Sequence, residues 1–338
     1  MKIEDYYQNI TGTLNIDIVV PLDKYLVFNE LGEMISDTFK QLSISHNVIV
    51  ESIKNINFES DKLYLLLGVD VNQNWVVRED DDQSVQSDPS SNVLPENFII
   101  YQMEQMWRIN NFCRDSKTTY YLEILNKAKA VWDYSLTNID YYNSYKCLHV
   151  PVYFVPIGFT PWIDYSLRKE KLDHYNISTA FIGNITGRRS SILNFLKTNL
   201  KQQGHHTIHL LNNNVWNNKD PRLGEIANLK SSVFCSLKII VNINMFDPIY
   251  CSFDLYRIVI AIANKCLVIS EPSRDLVMNK FFSDYIILCN FNEMTDQIAY
   301  YQKNEEKRAE KVDQAYKWLT TKFKFSNFIP INSFKMLI

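Results

Sequence analysis

The sequence predicts an α/β protein made of two doubly wound domains that face a cleft, with a long helix near the C-terminus. Strand-like and helix-like segments alternate along most of the chain, which is the pattern of parallel sheets with crossover helices. Several strands are continuous apolar runs, such as LYLLL at Leu63–Leu67, and such runs suit a sheet covered on both faces. A chain of 338 residues is also long enough for two domains of ordinary size.

Six strands and three helices are predicted in the first domain, residues 1–157, and their alternation makes this domain Rossmann-like. The predicted strands are 25–28, 47–52, 63–67, 98–102, 131–134 and 152–155. The predicted helices are 33–42, 120–129 and 135–145. Between the third and fourth strands, residues 79–92 are acidic and rich in Ser and Gln, which predicts an exposed loop.

A second Rossmann-like series, residues 158–291, begins with a charged connection at 161–176. Its predicted strands are 179–182, 206–211, 238–243, 267–270 and 285–288. Its predicted helices are 190–200, 221–231 and 253–264, the last with Ser252 as its N-cap. Apolar residues at helical spacing then predict one long helix over 292–322, within a C-terminal tail at 292–338.

The bulk composition favours a soluble, cytoplasmic protein. The net charge of −3 gives no reason to expect a nucleic-acid partner. The six cysteines are scattered without a CxxC pair, so we expect reduced thiols. The N-terminus lacks the pattern of a signal peptide, and no apolar run of about 18 residues predicts an integral membrane segment. Few glycines and many Asn, Ile, Tyr and Lys residues are typical of AT-rich genomes, viral ones among them.

The segment GNITGRR at 183–189 has the clearest chemical logic for binding an anion. It follows a predicted strand and opens a predicted helix, so its backbone N–H groups and its arginines could surround a diphosphate. The residues that we assign to this role are Gly183, Asn184, Gly187, Arg188 and Arg189. The segment is neither a Walker loop, which needs GK[ST], nor GxGxxG, and a tight turn with a solvated arginine pair is the alternative interpretation.

A second polar group follows the next two strands. Asp254 and Arg257 are three residues apart at the start of the predicted helix 253–264, at the positive end of its dipole. Asn244 lies after one strand, and Glu271 and Ser273 lie after the next. Because parallel strands end at the same edge of a sheet, we expect these residues to meet there. The alternative is a surface ion pair between Asp254 and Arg257 that contributes little.

The order of three segments in the second domain resembles the donor-binding domain of GT-B glycosyltransferases, particularly the group-1 and CgeB-like branch. These segments are IGNITGRRSSIL, KIIVNINMFDP and FDLYRIVIAIANKCLVISEPSRD. The segments FIIYQMEQ, AKAVWDYSLTNIDYY and VPVYFVPIGF similarly resemble the first domain of that branch. The resemblance covers most of residues 25–320 and implies a hexosyltransferase-like enzyme that takes its sugar from a nucleotide-diphospho-sugar.

The resemblance also implies roles for particular residues. It places Gly183, Arg188 and Arg189 near the donor diphosphate, and Asp254 where a Glu commonly contacts the donor, as a catalytic residue supported by Arg257. Two departures stand out. Where the family usually has the second Glu of its Glu-x7-Glu pair this chain has Ile260, and the usual Gly five residues later is Lys265.

The acceptor side is expected at the strand ends of the first domain. The segments that follow strands there are 29–32, 68–70 and 102–105. An inverting transfer needs a base to deprotonate the acceptor hydroxyl, and Glu104 or Asp70 could supply it; a retaining transfer does not. We assign Glu104 as the catalytic candidate. The acceptor itself, whether glycan, protein or small molecule, is left open.

No metal and no cofactor besides the donor is expected. The DxD within 79–82 lies in an acidic loop that a solvated role explains. The histidines of 205–209 enter a strand, whose alternation separates neighbouring side chains. A binding or scaffold protein that has lost catalysis, and a sugar-nucleotide epimerase or hydrolase, are the competing functions.

Overall fold

The computed structural model describes residues 15–22, 25–68, 94–106, 116–167, 177–211, 223–331 and 334. These fall into two compact units. Unit 1 comprises the described residues of Met1–Pro156 and Phe328–Ile338, and unit 2 those of Ile157–Asn327. Each unit contains one parallel sheet with helices, so the prediction of two α/β domains is confirmed. Asp70 and the acidic segment 79–92 lie outside the described residues.

Unit 1 is built on a six-stranded parallel sheet with the order β2-β1-β3-β4-β5-β6. Its strands are β1 Ile16–Pro21, β2 His46–Glu51, β3 Leu63–Leu67, β4 Phe98–Gln102, β5 Ala130–Asp133 and β6 Val152–Phe154. Every residue of β1, β3, β4 and β5 is buried, because the central strands of a parallel sheet are covered on both faces. This explains the continuous apolar runs of the sequence.

The helices described in unit 1 are α1 Tyr25–Gln41, α2 Ser116–Lys127 and α3 Leu136–Tyr145. Ser135 caps α3, since its side chain accepts a hydrogen bond from the amide of Asn138. The helix ends where Lys146 adopts the left-handed conformation, with φ of 48°. Both signals lie directly at the ends of the predicted helix 135–145.

The first strand was predicted in the wrong place. Residues 25–28 belong to α1, and the strand is β1, Ile16–Pro21. A four-residue apolar run does not distinguish a strand from a helix, and α1 is set by later buried residues at helical spacing, such as Leu31, Ile35 and Phe39. β1 was missed because Asp17 interrupts its apolar pattern. This buried carboxylate is accommodated by Asn47, 2.9 Å away, and Lys62, 3.4 Å away.

Unit 2 is built on a five-stranded parallel sheet with the order β11-β10-β9-β7-β8. Its strands are β7 Ile177–Ile182, β8 His209–Leu211, β9 Leu237–Asn242, β10 Leu267–Ser270 and β11 Ile287–Leu288. Its helices, among the described residues, are α4 Gly187–Gln202, α5 Leu223–Ser236, α6 Leu255–Ala263, α7 Leu276–Phe282, α8 Phe291–Lys303 and α9 Glu305–Lys322.

Helix α6 has other bounds than the predicted 253–264. The N-cap of α6 is Asp254 rather than Ser252, and its side chain makes no capping bond. At the other end Lys265 has φ of 56°, and the amide of Cys266 bonds the carbonyl of Ala261 at 2.9 Å, which closes the helix. Lys265 therefore takes up the left-handed conformation that glycine usually occupies at a helix end.

The single helix predicted over 292–322 is two helices, α8 and α9, that meet at Asn304. Asn304 is the C-cap of one and the N-cap of the other, and its side-chain amide donates to the carbonyl of Tyr300 at 2.8 Å. The apolar spacing continues across this break, so periodicity alone does not reveal it.

None of the described helices combines the length and the apolar character that a membrane crossing requires.

Candidate functional site

The loop after β7 and the start of α6 come together in unit 2. A Cβ built on Gly183, which has φ of 155°, would lie 3.1 Å from Nη2 of Arg257 and 3.2 Å from the ring of Phe181. Gly183 thus allows the loop to approach the arginine closely, at a backbone conformation that other residues rarely adopt. The two segments that the sequence singled out are neighbours in space.

Helix α4 begins at Gly187, three residues earlier than predicted, so Arg188 and Arg189 lie in its first turn. Its N-cap, Thr186, makes no capping hydrogen bond, and its Oγ1 is buried without a partner. A Cβ on Gly187 would meet no atom within 4 Å. The positive end of the α4 dipole therefore adjoins open space, where an anion could accept hydrogen bonds from the first amides of the helix.

Arg188 is held by the segments that follow β9 and β10. Its guanidinium makes two hydrogen bonds with Glu271, at 2.5 and 2.8 Å, and a third with the carbonyl of Asn244 at 2.8 Å. Glu271 is only 3% exposed and also accepts from the amide of Asn244 at 2.8 Å. Hydrogen bonding to this carboxylate raises the pKa of Arg188. Glu271 fixes the arginine rather than facing open solvent.

Arg189 is a buried cation. Its Nε donates to the carbonyl of Ile243 at 2.9 Å and its Nη1 to the carbonyl of Asn184 at 3.1 Å. Both partners are neutral, so these bonds orient the guanidinium without neutralising it. Burial, together with the nearby cation Arg257, lowers the pKa of Arg189 to about 10. The side chain still carries its full charge at neutral pH.

Arg257 completes the cluster from the first turn of α6. It forms an ion pair with Asp254 at 2.8 Å and donates to the side-chain oxygen of Asn242 at the end of β9. The guanidinium groups of Arg257 and Arg189 lie 5.7 and 5.4 Å from the centroid of the Phe181 ring. Cations near an aromatic face are attracted to it, which helps to keep two like charges close.

We call Arg188, Arg189 and Arg257 the arginine cluster. The sequence predicted these three residues, and the structure connects them with five other predicted site residues: Gly183, Asn184, Asn244, Asp254 and Glu271. Sequence reasoning missed Phe181 and Asn242. Asn242 donates to Ser270 Oγ at 2.9 Å while it accepts from Arg257, and a polar residue that ends an apolar strand was the available signal.

Ser273, another predicted donor-binding residue, makes hydrogen bonds to the neighbouring residues Asp275 and Asn279. Its backbone amide donates to the side-chain oxygen of Asn279 at 3.0 Å, and its hydroxyl accepts from the amide of Asp275 at 3.1 Å. These bonds fasten the turn that precedes α7. They account for the buried serine structurally, and its role in donor binding stays a prediction.

Glu104 belongs to unit 1, just after β4. Its backbone carbonyl accepts from Asn138 Nδ2 at 2.7 Å and from Gln102 Nε2 at 2.8 Å, and the amide of Met106 donates to Asn138 Oδ1 at 2.9 Å. The loop that carries this carboxylate is therefore held by buried amide side chains at the carboxyl edge of the sheet. Its role as a base stays a prediction.

Beneath this loop lies a buried acid, Asp133, that the sequence analysis did not single out. It is fully buried and accepts hydrogen bonds from the amide of Ser135 and the hydroxyl of Tyr142, both at 2.8 Å, and from Asn138 and Gln102 at 3.1 and 3.3 Å. Burial raises the pKa of Asp133 to about 8, although its hydrogen bonds oppose the shift. Asp133 anchors both amide side chains that hold the Glu104 loop.

Within the described part of the chain, no three His, Cys, Asp or Glu side chains are grouped so as to hold a metal ion.

No protein-family model and no curated protein sequence matches the chain. Solved structures do resemble it. Sucrose-phosphate synthase from Thermosynechococcus elongatus superposes with a TM-score of 0.56 at 11% identity, over 96% of this chain and 98% of that one. Anabaena HepE, solved with UDP and glucose, gives a TM-score of 0.54 at 10% identity, over 93% and 97%.

TarM gives a TM-score of 0.50 at 13% identity. The superposition covers 83% of this chain but only 56% of TarM, which is the longer protein. At such identities the likeness shows the fold alone, and that fold is GT-B, as the sequence resemblance predicted.

Proposed function

We propose that the protein is a glycosyltransferase that moves a sugar from a nucleotide-diphospho-sugar to an acceptor hydroxyl. The observation that carries the proposal is the meeting of the arginine cluster with the open N-terminus of α4. Together they offer fixed positive charge and amide donors where a diphosphate could bind. A protein of the same fold was solved with UDP and glucose, which supports this donor class.

In the proposed reaction, the bond between the anomeric carbon and the diphosphate oxygen breaks as the acceptor oxygen bonds to that carbon. Negative charge then grows on the leaving diphosphate, and Arg189, Arg257 and the α4 dipole stabilise it from fixed positions. Because their orientation is set beforehand, little reorganisation is needed during the reaction. Glu271 acts as a positioning residue for Arg188, and Asp254 does the same for Arg257 while remaining a candidate for donor contact.

We further propose Glu104 as the base that accepts the proton of the acceptor hydroxyl if the transfer inverts the sugar configuration. Its backbone is held by Gln102 and Asn138, which suits a group that must be positioned accurately. A Glu104→Gln variant should then lose transfer while it retains donor affinity. Equal transfer rates in the variant and the wild type would remove Glu104 from the mechanism.

A second candidate function is donor binding without catalysis. The buried residue Ile260 stands where the resemblance leads one to expect a carboxylate, so one acidic group of the usual pair is missing. Release of free nucleotide that requires an acceptor would establish transfer. Tight donor binding without turnover in the presence of any acceptor would favour the binding protein, and turnover without an acceptor would favour an epimerase or hydrolase.

Calorimetric titration with UDP-, GDP- and dTDP-sugars tests donor binding. Arg257→Met should weaken binding of the preferred donor by about 1.5–3 kcal/mol, the typical contribution of a hydrogen bond to a charged group. Arg308→Met is the control, since Arg308 is an arginine of α9 that pairs with Glu305 instead; its side chain is 10% exposed, against 18% for Arg257. Failure of all three donors to bind, or equal affinities for Arg257→Met and the control, would contradict the proposed site.

A further inference from the structure

Helix α7 turns an apolar face to solvent. Leu276, Val277 and Phe281 are 75%, 64% and 46% exposed, whereas Met278 and Phe282 on its other side are buried. No other helix in the described part of the chain carries three exposed large apolar residues, and single exposed ones are normal. Three from one seven-residue helix form a patch, which we call the α7 face.

The α7 face is held rigidly. Asp275 caps the helix by accepting from the amide of Met278 at 2.9 Å, and Asn279 Nδ2 donates back to the carbonyl of Ser273 at 2.7 Å. The ring of Phe281 also packs against the rings of Trp318 and Phe323, whose centroids are 5.4 and 5.6 Å from its own. These hydrogen bonds and aromatic contacts fix the helix while Leu276 and Val277 stay mostly exposed.

Exposed cations lie in and beside this segment of the chain. Arg274 and Lys280 are exposed at the start and on the outer side of α7, and the exposed Lys322 and Lys324 flank Phe323 in sequence. Residues 274–284 carry one exposed acid, Asp284. Because the rings of Phe281 and Phe323 are in contact, both pairs of cations belong to the same part of the surface. Exposed apolar side chains with cations nearby are the composition of surfaces that bind anionic lipid headgroups.

We propose that the α7 face docks onto an anionic lipid surface. Leu276, Val277 and Phe281 enter the boundary between headgroups and acyl chains, while the cations meet the lipid phosphates. Two weak signals of this kind are needed together for useful membrane affinity.

A symmetric contact between two copies is disfavoured, because it would bring the same four cations face to face. Lysines are likewise depleted from the cores of protein interfaces. This property goes beyond sugar transfer and does not depend on it.

Sedimentation with vesicles tests the proposal on the full-length chain. One set is pure phosphatidylcholine, and the other contains equal parts of phosphatidylcholine and phosphatidylglycerol. We expect binding to the anionic vesicles only, falling as salt is raised. Replacing all three apolar residues, Leu276→Ser with Val277→Ser and Phe281→Ser, should reduce the apparent affinity by about tenfold or more, since their insertion supplies the apolar share of binding.

Two further variants make the result decisive. Lys280→Glu alters one exposed charge and leaves the aromatic contacts of Phe281 intact, so it reports on docking even if the triple variant fails to fold; it should also weaken binding. Leu22→Ser, an exposed leucine of unit 1, is the control and should bind as the wild type does. No binding to anionic vesicles, unchanged binding by Lys280→Glu, or a dimer that the triple variant abolishes would each overturn the proposal.

Discussion

Glu271 is the single residue on which the arrangement of the arginine cluster most depends. It is 3% exposed and serves both Arg188 and the amide of Asn244. Glu271→Gln removes the charge from a buried pair while it keeps the shape, so we expect a loss of about 1.5–3 kcal/mol in the free energy of unfolding. Urea denaturation measures the difference.

The matched control for that change is Glu310→Gln in α9. Glu310 pairs with Lys307 at 2.9 Å, but both side chains are largely exposed, so the free energy of unfolding should hardly change. If the two substitutions changed the free energy of unfolding equally, the Arg188–Glu271 pair would stabilise the fold no more than the exposed Lys307–Glu310 pair does.

The buried carboxyl group of Asp133 should make the free energy of unfolding depend on pH. Its pKa rises from the ordinary value of 3.8 to about 8 in the folded chain. Between these values the folded state binds a proton that the unfolded state lacks, so the contribution of Asp133 to stability is complete below the lower value and is lost as pH rises through the upper one. Urea denaturation across this range should show that the wild type loses stability relative to Asp133→Asn as pH increases. A constant difference would mean that Asp133 does not titrate there.

For single residues, the sequence predicts which polar groups lie at one edge of the sheet, but not which of them bind each other. Arg188, Asn244 and Glu271 were all expected at one sheet edge because each follows a strand. That Glu271 would bind Arg188, 83 residues away, depends on side-chain packing. Asp133 escaped notice for a similar reason, since its hydrogen-bond partners come from β4, α3 and the segment between β5 and α3.

Where elements pack together, replacing glycine by alanine should have opposite effects on stability at two positions, Gly158 and Gly187. A Cβ on Gly158 would lie 2.7 and 2.8 Å from the backbone nitrogen and Cα of Phe325, where the segment at 159 pairs with the chain beyond α9. Gly158→Ala should therefore destabilise the protein by about 1–3 kcal/mol through overpacking.

Gly187 is the counterpart, because a Cβ there meets nothing within 4 Å. Gly187→Ala in the first turn of α4 should leave stability unchanged or raise it by up to about 1 kcal/mol. Thermal unfolding of both variants measures the contrast, and similar losses in the two would refute the packing argument.

The elements that the sequence predicted well have signals at their ends. The helix at 135–145 has a serine cap. β3 is an uninterrupted apolar run, β4 is apolar up to its last residue, Gln102, and both have the predicted bounds. The elements that it missed lack such signals. β1 contains a buried acid, and the break between α8 and α9 falls at Asn304 without disturbing the apolar spacing.

For the whole molecule, donor binding should appear as thermal protection. A ligand present at 100 times its dissociation constant stabilises the state that binds it by about 2.7 kcal/mol. The preferred nucleotide-sugar should thus raise the melting temperature of the wild type and of Glu310→Gln. Arg257→Met should show much less protection at the same concentration. Equal protection of all three proteins would place the donor elsewhere.

At this scale the sequence predicts the class of the fold, since alternating elements and apolar strands dictate parallel sheets. The strand orders β2-β1-β3-β4-β5-β6 and β11-β10-β9-β7-β8 required the structure, because local patterns do not state which strands are neighbours. The order of family-like segments supplied the GT-B expectation that single motifs could not.

A crystal structure of the full chain with its preferred nucleotide-sugar would show directly whether the arginine cluster and the N-terminus of α4 bind the donor diphosphate. We expect the diphosphate at the N-terminus of α4, within hydrogen-bonding distance of the first amides of that helix and of Arg189 or Arg257. A diphosphate bound at any other place, with the arginine cluster unchanged and out of contact, would contradict this expectation.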